Sequence, residues 1–185
     1  MSAMQRSALA ILIWIVCAAS LPALAMSQKS ELKFTVPSGW VEEPRSSSMR
    51  IAQYKLPKAP TDAEDASLVL YYFGQGQGGS TAANVERWVG QMKQADGSVA
   101  KDAKEERFET NGLKVTTVDV SGTYVAETAP GSGTFLNKPG YRLRAAVVET
   151  PNGSYFVKLV GPEKTIVQWN ESFLSYLKSF ELKQL

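Results

Sequence analysis

The chain has 185 residues, with 20 lysines and arginines against 18 aspartates and glutamates, a single cysteine and no histidine. Without histidine there is no imidazole base and no Cys/His zinc centre, and so nearly balanced a charge is not the footprint of a nucleic-acid binder. The cysteine, Cys17, falls in the leader segment, which leaves the rest of the chain without a disulfide or a thiol nucleophile.

Met1 to Ala25 reads as a secretory signal peptide. Arg6 supplies the positive start, Ala8 to Ala19 the apolar core, and Ala23-Leu24-Ala25 the small-residue site, with cleavage after Ala25. The apolar run is short for a membrane span, and Trp14-Ile15-Val16 before Cys17 lack the small residue that lipidation needs. The expected location is therefore extracytoplasmic, periplasmic or secreted, with no stable membrane span after cleavage. Residues 26–185 then form one domain of 160 residues, long enough to bury a core without disulfides.

Leu32, Phe34 and Val36 alternate as a half-buried strand, and Pro37-Ser38-Gly39-Trp40 turns the chain. Met49 to Leu56 reads as a second strand. The loop that follows carries Asp62, Glu64 and Asp65, whose spacing lacks the glycine and register of a calcium loop, so no metal site is assigned. Ser67 to Phe73 is an apolar and aromatic run of strand length.

Next comes the glycine turn, with Gly74, Gly76, Gly78 and Gly79, and then a helix on which Val85, Trp88, Val89 and Met92 form one apolar stripe. Ser80 or Thr81 is positioned to cap its first turn, and Asp96-Gly97 to end it. Gly74, Gly76 and Gly79 spell G-x-G-x-x-G between a strand and a helix. A dinucleotide fold, however, needs a parallel βαβ unit with an acidic residue closing the second strand about 20 residues on. Here that distance falls on Asp96, in the turn after the helix, and no Walker lysine follows, so no cofactor is assigned. Two readings remain for Gly74 to Gly79: a sharp turn that only glycine negotiates, or a cradle of amides for a small anion or a nucleotide phosphate. Asn84, Arg87 and Gln91 gather polar groups beside this turn and complete the candidate ligand site.

Ser98 to Arg107 is charged and mixed. Asn111-Gly112 signals a hairpin into the alternating segment Leu113 to Val120. Gly122 to Gly140, with two Gly/Pro clusters, reads as a long irregular loop. Tyr141 to Thr150 and Ser154 to Val160 are strands joined at Pro151-Asn152-Gly153, and Arg142, Arg144 and Lys158 on them form either a basic patch or solvated charges. Pro162 and Glu163 open a final helix with a wide apolar stripe, Ile166, Trp169, Phe173, Leu174, Leu177 and Phe180. The expected fold class is α+β: a mainly antiparallel sheet with one inserted helix and a long C-terminal helix packed on it.

The opening FTVPSGW, the glycine turn leading into a helix, the late strand pair and the closing GPEKTIVQWNESFLSYLKSF resemble the PsbP-like fold. Photosystem accessory proteins, a nuclear transport factor that binds a small GTPase, and exported bacterial proteins share that fold. The resemblance implies an α/β/α sandwich and a binding, accessory or assembly role rather than catalysis. Ser98 with Lys101 and Ser175 with Lys178 match S-x-x-K, yet no S-D-N or K-T-G element accompanies them, and paired carboxylates show no shared cleft. The expectation is an exported, non-enzymatic protein whose partner is an unidentified protein or small ligand of the cell envelope, with anion binding at the glycine turn as the alternative and a hydrolase as the least favoured reading.

Overall fold

Hairpin turns dominate the second half of the sequence, and every strand pairing in the computed structural model is antiparallel. The structure describes residues 30–129 and 131–184; the leader, Cys17 and the cleavage site after Ala25 lie outside them. The elements are β1 (Ser30–Lys33), β2 (Val41–Glu42), β3 (Arg50–Leu56), β4 (Ala66–Tyr72), α1 (Thr81–Gly90), β5 (Met92–Lys93) and β6 (Lys104–Thr110), then β7 (Leu113–Glu127), β8 (Phe135–Glu149), β9 (Tyr155–Pro162), α2 (Glu163–Gln168), α3 (Asn170–Lys178) and β10 (Glu181–Gln184). Eight strands form one sheet in the order β2-β3-β4-β9-β8-β7-β5, with β6 also on β7, while β1 and β10 pair apart from it. Mostly antiparallel sheet with a few helices is the α+β class the sequence indicates.

Both faces of the sheet are apolar. Leu68, Leu70, Ala146, Val148, Val157 and Leu159 pack with Ile166, Phe173, Tyr176, Leu177 and Phe180 on one face. On the other, Val118, Val120, Leu143, Ala145, Val147 and Phe156 pack with Trp88 and Met92. Alternate residues of β8 and β9 thus enter different clusters, which is why Ala145 to Val148 is apolar without a break. Asn111, at φ 47°, and Gly112, at φ 76°, take the left-handed pair of conformations that the Asn-Gly signal implies between β6 and β7.

Four expectations need correction. The long closing helix is two short ones, α2 and α3, broken at Trp169 (φ −97°, ψ 10°). There the indole Nε1 reaches out to donate to the Pro57 carbonyl at 2.8 Å. Residues 122–140 are not an irregular loop: β7 runs through to Glu127 and β8 begins at Phe135, so the two strands continue past a bulge between Gly122 and Tyr124 as a long arm. Lys138 on this arm donates to Glu64 at 2.7 Å, which ties the arm to the β3–β4 loop. Helix α1 ends at Gly90 rather than near Asp96, because the Gln91 and Met92 carbonyls are taken by the Val125 and Ala100 amides at 2.7 and 2.9 Å. Finally, Ser98 to Arg107 holds the start of β6, and the chain closes on β10.

Candidate functional site

The glycine turn is shaped by packing. A Cβ on Gly78 would stand 2.6 Å from the Phe156 ring and one on Gly153 3.0 Å from the Gly74 carbonyl, so ring and hairpin press directly on the turn. Gly76 has open space around it, and a Cβ on Gly79 would meet only the Asn84 amide at 3.6 Å. The Ser80 hydroxyl caps α1 by accepting from the Ala83 amide at 3.2 Å. Asn84 is fully buried; its Nδ2 donates to the Gly78 and Ser80 carbonyls at 2.8 and 2.9 Å, and its Oδ1 accepts from Arg87. The structure therefore brings Gly78, Gly79, Asn84 and Arg87 together as a staple between turn and helix. The strands around this turn are antiparallel, unlike the parallel unit of a dinucleotide fold.

Gln91 belongs to a different group. Its Oε1 accepts from the Lys158 ammonium at 2.6 Å, and the same ammonium donates to the Tyr124 hydroxyl at 3.0 Å while lying 4.9 Å from that ring's centroid. Loss of hydration beneath α1, with Arg87 adding repulsion, pulls the Lys158 pKa down to about 8. Burial likewise raises the Tyr124 phenol above its usual range. Tyr141 stacks on Tyr124 with centroids 6.3 Å apart. The sequence suggests Lys158 only as part of a basic patch with Arg142 and Arg144 and gives no sign of Tyr124, yet a lysine in the otherwise apolar strand run YFVKLV marks the position.

Arg142 and Arg144 do not join Lys158 in a basic patch. Lys158 sits opposite Ala145 and shares its face, whereas Arg144 sits opposite Leu159 on the other. There Arg142 clasps Asp119 through two bonds of 2.7 and 2.6 Å, and Arg144 lies 3.3 Å from the same carboxylate and 4.8 Å over the Phe173 ring. These are paired structural charges. The acidic loop is committed too: Asp62 accepts from the Thr165 amide and hydroxyl, Glu64 from Lys138, and Asp65 from the Lys58 amide. Ser98 donates its hydroxyl to Asp96 at 2.6 Å, and Ser175 and Lys178 lie on the exposed side of α3.

A groove of about 890 Å³ opens on the opposite side of α1. Thr81, Ala82, Val85, Glu86 and Val89 form one wall; Glu105, Arg107, Glu109, Lys114 and Thr116 of the β6–β7 hairpin form the other, with Glu149 beside them. The helix thus separates an apolar groove, floored by Phe108 and Val115 and with a glutamate-rich rim, from the Arg87–Lys158 corner. In the rim, Glu105 holds Arg107 at 2.6 Å and Glu149 accepts from the Thr81 hydroxyl at 2.9 Å. A volume of this size suits a small ligand, and its apolar wall supplies the burial energy.

No helix among the described residues is long and apolar enough to cross a membrane. No protein-family model and no curated protein matches the chain. Solved structures do. The fold is similar to that of LpqN from Mycobacterium tuberculosis, a protein involved in cell envelope biogenesis, with a TM-score of 0.53 and 11% identity over 86% of this chain and 87% of that one. A protein of unknown function from Pseudomonas aeruginosa matches with a TM-score of 0.42 and 13% identity over 86% of each chain.

Proposed function

We propose that this chain is an exported, non-catalytic binding or accessory protein of the cell envelope, of the PsbP-like α/β/α type, and that it holds an amphipathic ligand in the groove beside α1. The groove itself carries the reading: about 890 Å³, walled by Ala82, Val85 and Val89 and rimmed by Glu86, Glu105, Glu109 and Glu149 against Arg107 and Lys114. An apolar segment lying on the aliphatic wall gains roughly 25 cal/mol for each Å² of apolar surface withdrawn from water. A cationic or hydroxyl-bearing end meets the carboxylates. Two of those carboxylates are already held by Arg107 and Thr81, an arrangement that favours orientation over proton transfer. The N-terminal segment that reads as a signal peptide and the similarity of fold to an envelope protein support the location.

Calorimetric titration with dodecyltrimethylammonium and with dodecyl sulfate, both below their micelle concentrations, tests this. The cationic amphiphile should bind the more tightly, and Ala82→Trp, which fills the groove from an exposed position, should weaken it by about tenfold or more, equivalent to at least ~1.4 kcal/mol. Failure of the cationic amphiphile to bind, or binding that ignores Ala82→Trp, would sink the reading.

A further inference from the structure

We infer that the corner formed by Lys158, Gln91, Arg87 and Tyr124, on the side of α1 away from the groove, is a binding subsite for an oxyanion, the carboxylate or phosphate-like group of a small ligand. It is a second site, independent of the groove.

Lys158 stands in the middle of the sheet, on β9 between Val69 of β4 and Ala145 of β8. A cation rarely occupies such a place without a counter-ion, because desolvation of the charge costs several kcal/mol. Elsewhere in the sheet the rule is kept: Arg142 and Arg144, whose side chains are 22% and 7% exposed, share Asp119. Among the described residues Lys158 has no carboxylate partner. Its two acceptors, the Gln91 carboxamide and the Tyr124 hydroxyl, are neutral, and an ammonium has three donors, so one donor and the net charge are left for a ligand.

The surroundings reinforce that arrangement. Arg87, one turn before Gln91, bonds the neutral Asn84 oxygen and adds a second positive charge that repels Lys158. The other titratable groups facing the corner are the phenols of Tyr124, of Tyr71, over whose ring the Arg50 guanidinium lies at 5.6 Å, and of Tyr141, which stacks on Tyr124 and bonds the Glu64 carboxylate on its far side. Some compensation comes from the carbonyl end of α1, where Gln91 caps the helix, but this partial charge is smaller than the two cations it meets. An oxyanion seated between Lys158 and Arg87 relieves their repulsion and restores the proton affinity of the ammonium. Binding is therefore coupled to proton uptake when the pH lies near or above the value of about 8 at which free Lys158 titrates.

The test uses sulfate and acetate, neither of which titrates near that pH, as tetrahedral and planar probes. Calorimetry of the purified protein in two buffers of different ionisation enthalpy, slightly above pH 8, should show binding with net uptake of protons. Near pH 6 the same binding should proceed without uptake. A tighter sulfate marks a phosphate-like group, and a tighter acetate a carboxylate. Lys158→Met should lose the binding, and Arg87→Gln should weaken it several-fold. Should Lys158→Met fail to fold, Gln91→Glu decides the matter: a built-in carboxylate beside the ammonium should displace either probe while the protein stays folded. Ala82→Trp, in the separate groove, should leave the binding unchanged. Absence of binding of both probes at millimolar concentration, or binding that survives Gln91→Glu intact, overturns the inference.

Discussion

The Lys158 ammonium and the Gln91 carboxamide are joined by a hydrogen bond of 2.6 Å between the centre of the sheet and the end of α1, and among the described residues no carboxylate completes the pair. A pH dependence of stability follows. The folded protein releases the Lys158 proton at about 8, against an ordinary value of 10.5 in the unfolded chain. Between those values the unfolded state binds more protons, so the group's contribution to stability rises with pH through that window, and below it the full cost of the half-buried charge is present. Lys158→Met removes that cost. In anion-free buffer the variant should be the more stable at neutral pH, by on the order of 2 kcal/mol, and the advantage should vanish above about pH 10.5. Denaturant titrations of both proteins at the two pH values measure this, and a variant that is less stable at neutral pH would contradict it.

Much of the sheet was legible because turn chemistry and alternation are local. Asn111-Gly112 and Pro151-Asn152-Gly153 mark real hairpins, and Leu113 to Val120 alternates as a strand should. Strand β6 was not legible, since KEERFET lies mostly exposed and has no inward face to encode. The arm was hidden because Gly122 reads as a break in sequence but sits at a bulge within continuing strands. Met92 fits the helical stripe of α1 perfectly well; only its pairing opposite Tyr124 places it on a strand, and that is tertiary information. Of the candidate site, Arg87 and Gln91 could be picked out as polar neighbours one turn apart. Their partner on β9, 67 residues from Gln91, could not, because sequence does not say which face of a doubly covered strand meets α1.

The glycines of the turn should separate sharply on substitution. At Gly78, with φ 89°, an alanine methyl would stand 2.6 and 2.7 Å from two atoms of the Phe156 ring. At Gly76, with φ 70°, nothing lies within 4 Å. Gly76→Ala thus bears only the left-handed backbone penalty of about 1–2 kcal/mol, whereas Gly78→Ala adds a steric clash in the core and should cost about 3 kcal/mol or more. Equal melting temperatures for the two variants would contradict this account of the turn.

Asn84 should be worth more than its place on a short helix suggests. It is fully buried, and its side chain satisfies the Gly78 and Ser80 carbonyls while accepting from Arg87. Asn84→Ala leaves the Gly78 carbonyl without its donor, while the Ser80 carbonyl keeps the backbone amide of residue 84, and should destabilise the fold by about 1–2 kcal/mol, with the amide of Gln77 in the turn segment, which donates to the Gly74 carbonyl at 3.1 Å, losing protection from hydrogen exchange. Exchange that stays unchanged in that segment would show that the staple does not hold the turn.

Helix α2 makes the last case, because its cap comes from far away in the chain. Pro162 precedes it and offers no side-chain cap, so the first turn relies on Asp62, whose Oδ2 accepts from the Thr165 amide at 2.8 Å and the Thr165 hydroxyl at 2.6 Å. The Thr165 hydroxyl oxygen in turn accepts from the Ala59 amide at 3.0 Å, so a loop and a helix separated by more than a hundred residues are closed into one network. Asp62→Ala removes the acceptor and should cost about 1–2 kcal/mol, as loss of a helix cap does. Thr165→Val, nearly the same shape, should cost a similar amount, because it leaves both Asp62 and the Ala59 amide without the hydroxyl. The double variant should then cost less than the sum of the two single changes, since both break the same network. A double-mutant cycle measured by denaturant unfolding reads that coupling directly, and strict additivity would mean that the loop and α2 are stabilised independently.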